Sequence, residues 1–232
     1  MKTAPNPLLT VIIHFYNNHD VVRKHVESWK TLPISVLSKI QFICIDDFSD
    51  DEIIVDKDNL NLRLFRVIDD IDWNMPGCKN LGAVMSKTEW ILFFDIDSFI
   101  ESDGFEKILE GLPNLASNNL YRFKTHQFGE DVGSHVNILL LNRDSFFKMG
   151  GLDEDFAGNY GFEDIHFGLL WNKKVGPTTL ITNVVFDLRN HPTTKLNRDT
   201  SINQALGTKK IYEDNFANSV GKLRFNWIEI EL

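Results

Sequence analysis

Two aspartates separated by a single residue follow a strongly apolar run near the middle of the chain. Residues 90–94 read WILFF and lead directly into Asp95, Ile96 and Asp97. Because side chains alternate at a strand end, the two carboxylates are expected to point to the same side. Carboxylate oxygens placed in this way suit Mg²⁺ or Mn²⁺, above all when phosphate oxygens and water complete the shell. An isolated Asp-x-Asp also occurs in solvated turns, so it is the preceding strand that favours a divalent-cation site.

A second acidic cluster, DDFSDD at residues 46–51, also follows an apolar run. Asp and Ser favour turns through local hydrogen bonds, so one interpretation is a self-capped loop. The other interpretation is nucleoside recognition, in which a carboxylate accepts an N–H of uracil or guanine. Neither acidic cluster resembles a glycine-rich phosphate loop, and the chain contains no GxGxxG and no GxxxxGK[ST] motif.

Glu163 and Asp164 open a predicted helix at 163–171, where EDIHFGLLW has apolar residues at helical spacing. The helix dipole favours negative charge at this end, which is a purely structural explanation. However, the glycine-punctuated segment 150–161 precedes the pair, and such loops carry catalytic groups on rigid scaffolds. A carboxylate in that position could remove the proton from an acceptor hydroxyl.

The histidines and cysteines do not show the sequence spacing that is typical of metal ligands. None of the seven histidines forms an HxxxH or HExxH pattern, and His191 stands out only because it follows a predicted strand and precedes Pro192. A lone histidine is more often a surface or core residue than a metal ligand. Cys44 and Cys78 lie far apart and in no CxxC pattern, which predicts buried free thiols rather than a zinc site or a disulfide.

These candidate residues need a scaffold, and the apolar patterning supplies one. Strand-like and helix-like runs alternate through most of the chain, which predicts an α/β fold built from βαβ units. In open α/β sheets, ligands bind outside the carboxyl ends of the strands, so both aspartate clusters are expected in one crevice. The predicted strands are 9–15, 40–45, 62–67, 90–94, 136–141, 180–188 and a closing strand within 223–230. The predicted helices are 19–31, 77–86, 143–149, 163–171 and one between Pro192 and the closing strand.

Length, composition and charge further limit the kinds of protein that this chain can be. With 232 residues, 43% hydrophobic, the chain is long enough for one compact α/β domain over residues 1–232. A net charge of −9 argues against an extended nucleic-acid interface and implies that an anionic nucleotide would bind with a cation. The longest apolar runs are too short for a membrane span, and the run at 9–15 fits a strand better than a signal peptide. A cytoplasmic, soluble protein is therefore expected.

Four segments in this order resemble the GT-A glycosyltransferases, most closely those of family 2 and the polysaccharide polymerase domains. They are TVIIHFYNN, ICIDDFSDD, PGCKNLGAVMSKTEWILFFDID and GGLDEDFAGNYGFEDIHFGLLW, and the resemblance extends from about residue 9 to residue 191. The resemblance implies a Rossmann-like, mixed central sheet flanked by helices. It also implies a nucleotide-binding part at about 1–100 and an acceptor-binding part at about 101–232.

The resemblance assigns roles by motif position. Those that bind the nucleotide are Asp46 and Asp47 at the nucleoside, Lys79 at the base or diphosphate, Tyr16 in the first turn, and Asp95 at the ribose and the metal. Asp97 and His191 would be protein ligands of Mn²⁺ or Mg²⁺. Asp164 would be the catalytic base and Glu163 its partner at the acceptor.

These roles imply an inverting transfer of a sugar from a nucleotide-diphosphate donor to a glycan or other hydroxyl acceptor. UDP is the expected nucleotide, with GDP and dTDP open. The chain departs from the family pattern at His14, Phe15, Lys79 and Ser98, and the first three could alter base or donor preference. One alternative is a sugar-1-phosphate nucleotidyltransferase, but HFYNNHD is not the glycine-rich basic loop that such an enzyme needs after its first strand. A non-catalytic nucleotide-sugar-binding domain is the other.

Overall fold

A computed structural model describes residues 6–101, 103–189, 197–213 and 223–232 of the chain. The strands are β1 (Leu9–Phe15), β2 (Ile40–Asp46), β3 (Leu62–Val67), β4 (Trp90–Phe93), β5 (Ser98–Ile100), β6 (Leu120–Gln127), β7 (Glu130–Asn142), β8 (Thr178–Leu188) and β9 (Trp227–Ile230). The α-helices are α1 (His19–Lys30), α2 (Ile34–Leu37), α3 (Met75–Met85), α4 (Gly104–Gly111), α5 (Arg143–Met149), α6 (Glu163–Lys174) and α7 (Ser201–Tyr212). The predicted α/β class is confirmed.

The strands of the described residues form one mixed sheet in the order β5-β8-β6-β7-β4-β1-β2-β3-β9. Strands β1 to β4 pair in parallel, with Leu9 opposite both Ile40 and Trp90. Because β1, β2 and β4 start in register, the carboxyl ends of these three strands reach the same edge of the sheet. The acidic segments that follow β2 and β4 therefore lie at one edge, as the sequence predicts.

The second half of the sheet is mostly antiparallel. Strand β7 pairs antiparallel with β4 and with β6, and β6 pairs in parallel with β8. The predicted strand 136–141 is only the buried end of β7, whose first five residues are exposed. Strand β6 was not predicted, although its buried residues alternate with half-buried Arg122 and Lys124. The short elements α2, α4 and β5 were also missed; α2 and β5 have only four and three residues, too few to show a periodic pattern.

The hydrophobic core fills both faces of the sheet. Val11 and Ile13 of β1 pack in the cluster on one face, while Ile12 packs in the cluster on the other. Gly82 lets α3 approach this second face closely, because a Cβ there would lie 2.5 Å from Ile12 Cγ2. Cys44 and Cys78 are buried free thiols, as predicted. Among the helices of the described ranges, none is long and apolar enough to cross a bilayer.

Candidate functional site

A cleft of about 580 Å³ opens at the carboxyl ends of β1 and β4. Its walls come from the turn after β1, the loop after β3, the turn after β4, the middle of β7, the start of α6 and the residues before α7. Six of the residues predicted to act in the site line it: Tyr16, Asp47, Asp95, Asp97, Glu163 and Asp164. Asp46 and Lys79 do not line the cleft, and His191 lies outside the described residues.

Asp95 and Asp97 both face the cleft, although the reason differs from the predicted one. Strand β4 ends at Phe93, so the two aspartates occupy the turn that leads into β5 rather than the strand itself. The N–H of Ser98 donates to the carbonyl of Asp95 (2.9 Å) and closes this turn. Both carboxylates therefore reach the cleft through the turn geometry and not through strand alternation.

Asp95 belongs to a hydrogen-bonded network that crosses the cleft floor. Asn137 on β7 donates from Nδ2 to Asp95 Oδ2 (3.0 Å), and its Oδ1 accepts from Lys79 Nζ (3.1 Å). Lys79 is buried, and its Nζ lies 3.7 Å from Asp95 Oδ1. Burial by itself would raise the pKa of Asp95. The positive charge of Lys79, followed by the charges of His14 and His135, holds that pKa below its usual value. Asp95 is therefore ionised at neutral pH.

Two carboxylates provide only part of a metal shell. Within the described residues, no three histidine, cysteine or acidic side chains form a group that could hold a metal ion. Asp95 and Asp97 do offer hard oxygen donors at the edge of the cleft, the type that Mg²⁺ and Mn²⁺ prefer. This donor set fits an ion that takes most of its ligands from a bound diphosphate and water.

The two aspartates of the first acidic turn have separate surroundings. Asp46 accepts from the Ser49 N–H and from Arg66 (both 2.9 Å), so its carboxylate organises the turn as the self-capped interpretation expects. Asp47 is buried at the cleft wall, and its Oδ1 has no hydrogen-bond partner among the described residues. Burial raises the pKa of Asp47 to about 7. Of the two, only Asp47 lines the cleft and has a carboxylate oxygen without a geometric hydrogen-bond partner among the described residues.

Glu163 and Asp164 enter the cleft at the first turn of α6. The residue before them, Phe162, has a φ of 74°, a left-handed conformation that is strained for a bulky side chain. Glu163 is buried, and no described group hydrogen-bonds its Oε2. Burial raises the pKa of Glu163 to about 7, and the charge of Asp164 contributes to the rise. Asp164 is more exposed, and its Oδ1 accepts from the Ile165 N–H (2.6 Å).

The cleft also contains residues that the sequence did not point to. Asp70 and Asp72 line its mouth beside Tyr16, and after burial their charges contribute to the raised pKa of the Tyr16 phenol. Trp73 and Tyr160 pack together with ring centroids 4.5 Å apart. The segment IDDID at 68–72 follows β3, so a systematic search of strand ends would have found it. Asn137 carried no such signal, because it lies inside a strand.

Comparison with known proteins gives results consistent with this geometry. Residues 10–121 match the sequence model described as glycosyltransferase-like family 2. An uncharacterized glycosyltransferase of Haemophilus influenzae is 24% identical over 169 residues, which cover 62% of this chain and 56% of that protein. The crystal structure of S. aureus TarS 1-349 in complex with UDP-GlcNAc superposes with a TM-score of 0.64 at 13% identity, covering 81% of this chain and 60% of that one. The crystal structure of S. aureus TarS 1-349 superposes with a TM-score of 0.63 at 14% identity, covering 78% of this chain and 60% of that one.

The chain has the GT-A fold, and its resemblance to family 2 glycosyltransferases is confirmed. It spans less than two thirds of the length of these relatives.

Proposed function

We propose that this chain, which resembles family 2 glycosyltransferases, is a metal-dependent, inverting enzyme that transfers a sugar from a UDP-sugar to a glycan or another hydroxyl acceptor. One observation carries the proposal: a single cleft holds Asp47, the Asp95–Asp97 pair and the Glu163–Asp164 pair on its walls. These are the three kinds of group that the reaction requires. The UDP-GlcNAc named in the TarS complex supports a uridine nucleotide as the donor carrier.

The donor would lie across the nucleotide-binding part of the chain, about residues 1–100. The unpartnered Oδ1 of Asp47 is suited to accept a base N–H at the inner wall. Asp95 and Asp97, with His191 as the third candidate, would hold Mn²⁺ or Mg²⁺ against the diphosphate. When bound, the ion would neutralise charge on the departing nucleoside diphosphate. Lys79 contributes positive charge behind Asp95 rather than a direct contact in the cleft.

The acceptor would approach from the α6 side, in the part of the chain from about 101 to 232. Asp164 is the proposed base because it is the more exposed member of the pair at the first turn of α6. It takes the proton of the acceptor hydroxyl while the oxygen attacks the anomeric carbon and the bond to the diphosphate oxygen breaks. One such in-line displacement inverts the anomeric carbon. Glu163, buried beside it with a raised pKa, can retain its proton near pH 7 and donate a hydrogen bond to an acceptor hydroxyl.

Calorimetric binding of UDP and GDP, with Mn²⁺ and then with EDTA, tests the donor site. We expect UDP to bind wild type only with the metal, and Asp97→Ala to lose this binding. Asp144→Ala is the matched control, because Asp144 is an exposed aspartate at the start of α5, away from the cleft. Absence of nucleotide binding under every metal condition would refute the proposal.

Turnover is a separate question, because a domain that only binds nucleotide sugars would pass the binding test. Release of UDP from UDP-sugars, measured with and without saccharide acceptors, separates the two functions. We expect Asp164→Asn to retain metal-dependent UDP binding and to lose transfer. Binding without any transfer or hydrolysis by wild type would indicate a non-catalytic domain.

A further inference from the structure

Helix α7 has an unusual buried face. In the described chain, its buried residues are Asn203, Gly207 and Lys210, which recur every three or four positions and therefore lie on one side of the helix. A surface helix normally buries an apolar stripe against the core. Here the buried side consists of an amide, a glycine and an ammonium group, so specific polar contacts rather than apolar packing determine where α7 docks.

All three residues contact one segment, residues 153–162, which we name the approach loop because it leads into α6. Asn203 Nδ2 donates to the carbonyls of Phe156 (3.0 Å) and Asn159 (2.8 Å). Lys210 Nζ donates to the carboxylates of Asp153 and Asp155, both at 2.6 Å. These contacts fix the beginning and the middle of the loop.

Gly207 fixes the end of the approach loop. A Cβ at this position would lie 2.2 Å from Phe162 Cδ1 and 2.3 Å from Cε1, so the ring of Phe162 occupies the space that a side chain would need. Phe162 immediately precedes Glu163 and is the residue in the left-handed conformation. Its ring, held against α7, therefore sets how the backbone enters the first turn of α6.

Contacts outside α7 hold the first part of the approach loop, since Asn80 donates to Glu154 Oε1 (2.8 Å) and the Gly158 N–H donates to the Asp72 carbonyl (2.7 Å). The last part, which leads to Phe162, has fewer such contacts of its own. Gly158 and Gly161 have φ values of 95° and 80°, and glycine loses more conformational entropy on ordering than any other residue. A strained residue such as Phe162 persists only where surrounding structure over-determines it. The docked face of α7 supplies that surrounding structure.

We propose that α7 is a positioning clamp for the carboxylate pair of α6, acting through Asn203, Gly207 and Lys210 on the approach loop. The inference rests on the proposed function, because it assigns the α6 pair to the acceptor reaction. None of the three residues touches the reacting groups; they fix where Glu163 and Asp164 stand. Arg198 and Thr200 come just before α7 and line the cleft, so docking of α7 also places these two residues in the cleft wall.

Two adjacent lysines provide a matched test. Lys210→Met removes the buried ammonium group, whereas Lys209→Met removes the same charge from an exposed position one residue away. We expect Lys210→Met to lower kcat by about tenfold to a hundredfold, the scale of a small misplacement of catalytic groups. Affinity for UDP with Mn²⁺ should stay within about twofold, because Asp47, Asp95 and Asp97 lie on other elements. Lys209→Met should match wild type in both measurements.

A second pair avoids leaving buried carboxylates without a partner. Asn203→Ala removes two hydrogen bonds to the approach loop, and Gln204→Ala is its exposed neighbour. Hydrogen exchange of the amides at 161–167 should accelerate at least about tenfold in Asn203→Ala and Lys210→Met, but not in either control. Unchanged exchange and kcat in both test variants would overturn the clamp, as would an equal loss of kcat and UDP affinity. Since exchange needs no substrate, it decides the clamp even if wild type binds no nucleotide and the proposed function fails.

Discussion

The side-chain amide of Asn137 donates to Asp95 Oδ2 at 3.0 Å and connects that carboxylate to the buried Lys79 ammonium group. Because β4 and β7 are antiparallel and Phe93 pairs with Leu139, Asp95, two residues after Phe93, lies opposite Asn137, two residues before Leu139. Asn137 therefore fixes the orientation in which Asp95 meets the cleft. Its carboxamide hydrogen-bonds both Asp95 and Lys79, whose Nζ lies 3.7 Å from Asp95 Oδ1.

Asn137→Ala should weaken metal-dependent UDP binding by roughly tenfold, because Asp95 loses the donor that orients it and can turn towards Lys79. Calorimetry with UDP and Mn²⁺ measures the change. Asn114→Ala, at an exposed position after α4, should leave the affinity unchanged. Equal affinities for the two variants would show that Asn137 has no part in the site.

Lys79→Met should destabilise the fold by about 1–3 kcal/mol, because Asn137 Oδ1 loses its donor and Asp95, which is partly exposed in the cleft, loses the nearby opposite charge. Urea unfolding gives the free energy, and Lys87→Met is the control at an exposed lysine. The double variant Lys79→Met/Asp95→Asn should recover part of the loss, because no unpaired carboxylate remains. A single variant as stable as wild type would show that Lys79 does not compensate Asp95.

Glu163 should make the protein less stable as pH rises. Burial raises its pKa to about 7 from the usual 4.5, so between these pH values the folded state binds more protons than the unfolded state. Its contribution to stability is fully present below pH 4.5 and is lost as pH rises through 7, by up to about 3 kcal/mol. Asp47, whose pKa is also raised to about 7, adds a loss in the same direction.

Urea unfolding at pH 5 and pH 8, without metal, measures this loss. Glu163→Gln should show a smaller fall in the free energy of unfolding than wild type, while Glu106→Gln, at an exposed position on α4, should behave like wild type. A Glu163→Gln profile that parallels wild type would show that Glu163 titrates normally.

Asp47→Asn should lower UDP affinity at least about tenfold, because an amide presents a donor as well as an acceptor where a base N–H needs an acceptor. The exposed Asp51→Asn in the same acidic turn is the control. Calorimetry should find the loss with UDP and with uridine alike, since the contact is to the base. A loss confined to UDP would place Asp47 at the diphosphate instead.

Gly82→Ala should destabilise the fold by about 1–3 kcal/mol, because its Cβ would meet Ile12 Cγ2 at 2.5 Å and push α3 away from the sheet. Gly111→Ala is the opposite case: no described atom lies within 4 Å of its Cβ, and alanine should add about 0.5 kcal/mol. Thermal unfolding of both variants measures whether each substitution lowers or raises the stability of the fold. A neutral Gly82→Ala would indicate that α3 can shift without loss of packing.

The sequence predicted β1, β3 and α5 with the bounds that the structure has, because their apolar patterns and flanking breaks are local. It also predicted that the acidic clusters would meet, because parallel strands that start together end together. It did not separate Asp46 from Asp47. That difference depends on Arg66, which reaches Asp46 from the neighbouring strand β3.

By itself, therefore, the sequence determined the fold class, the cleft edge and most of the acidic residues on its walls, because hydrophobic periodicity and strand order are carried by neighbouring residues. Only the tertiary structure decided how Asn137 orients Asp95, why Lys79 is buried and how α7 holds the approach loop. These contacts join residues 42 to 58 positions apart in sequence. Their geometry follows from strand register and helix docking, which no local pattern of residues records.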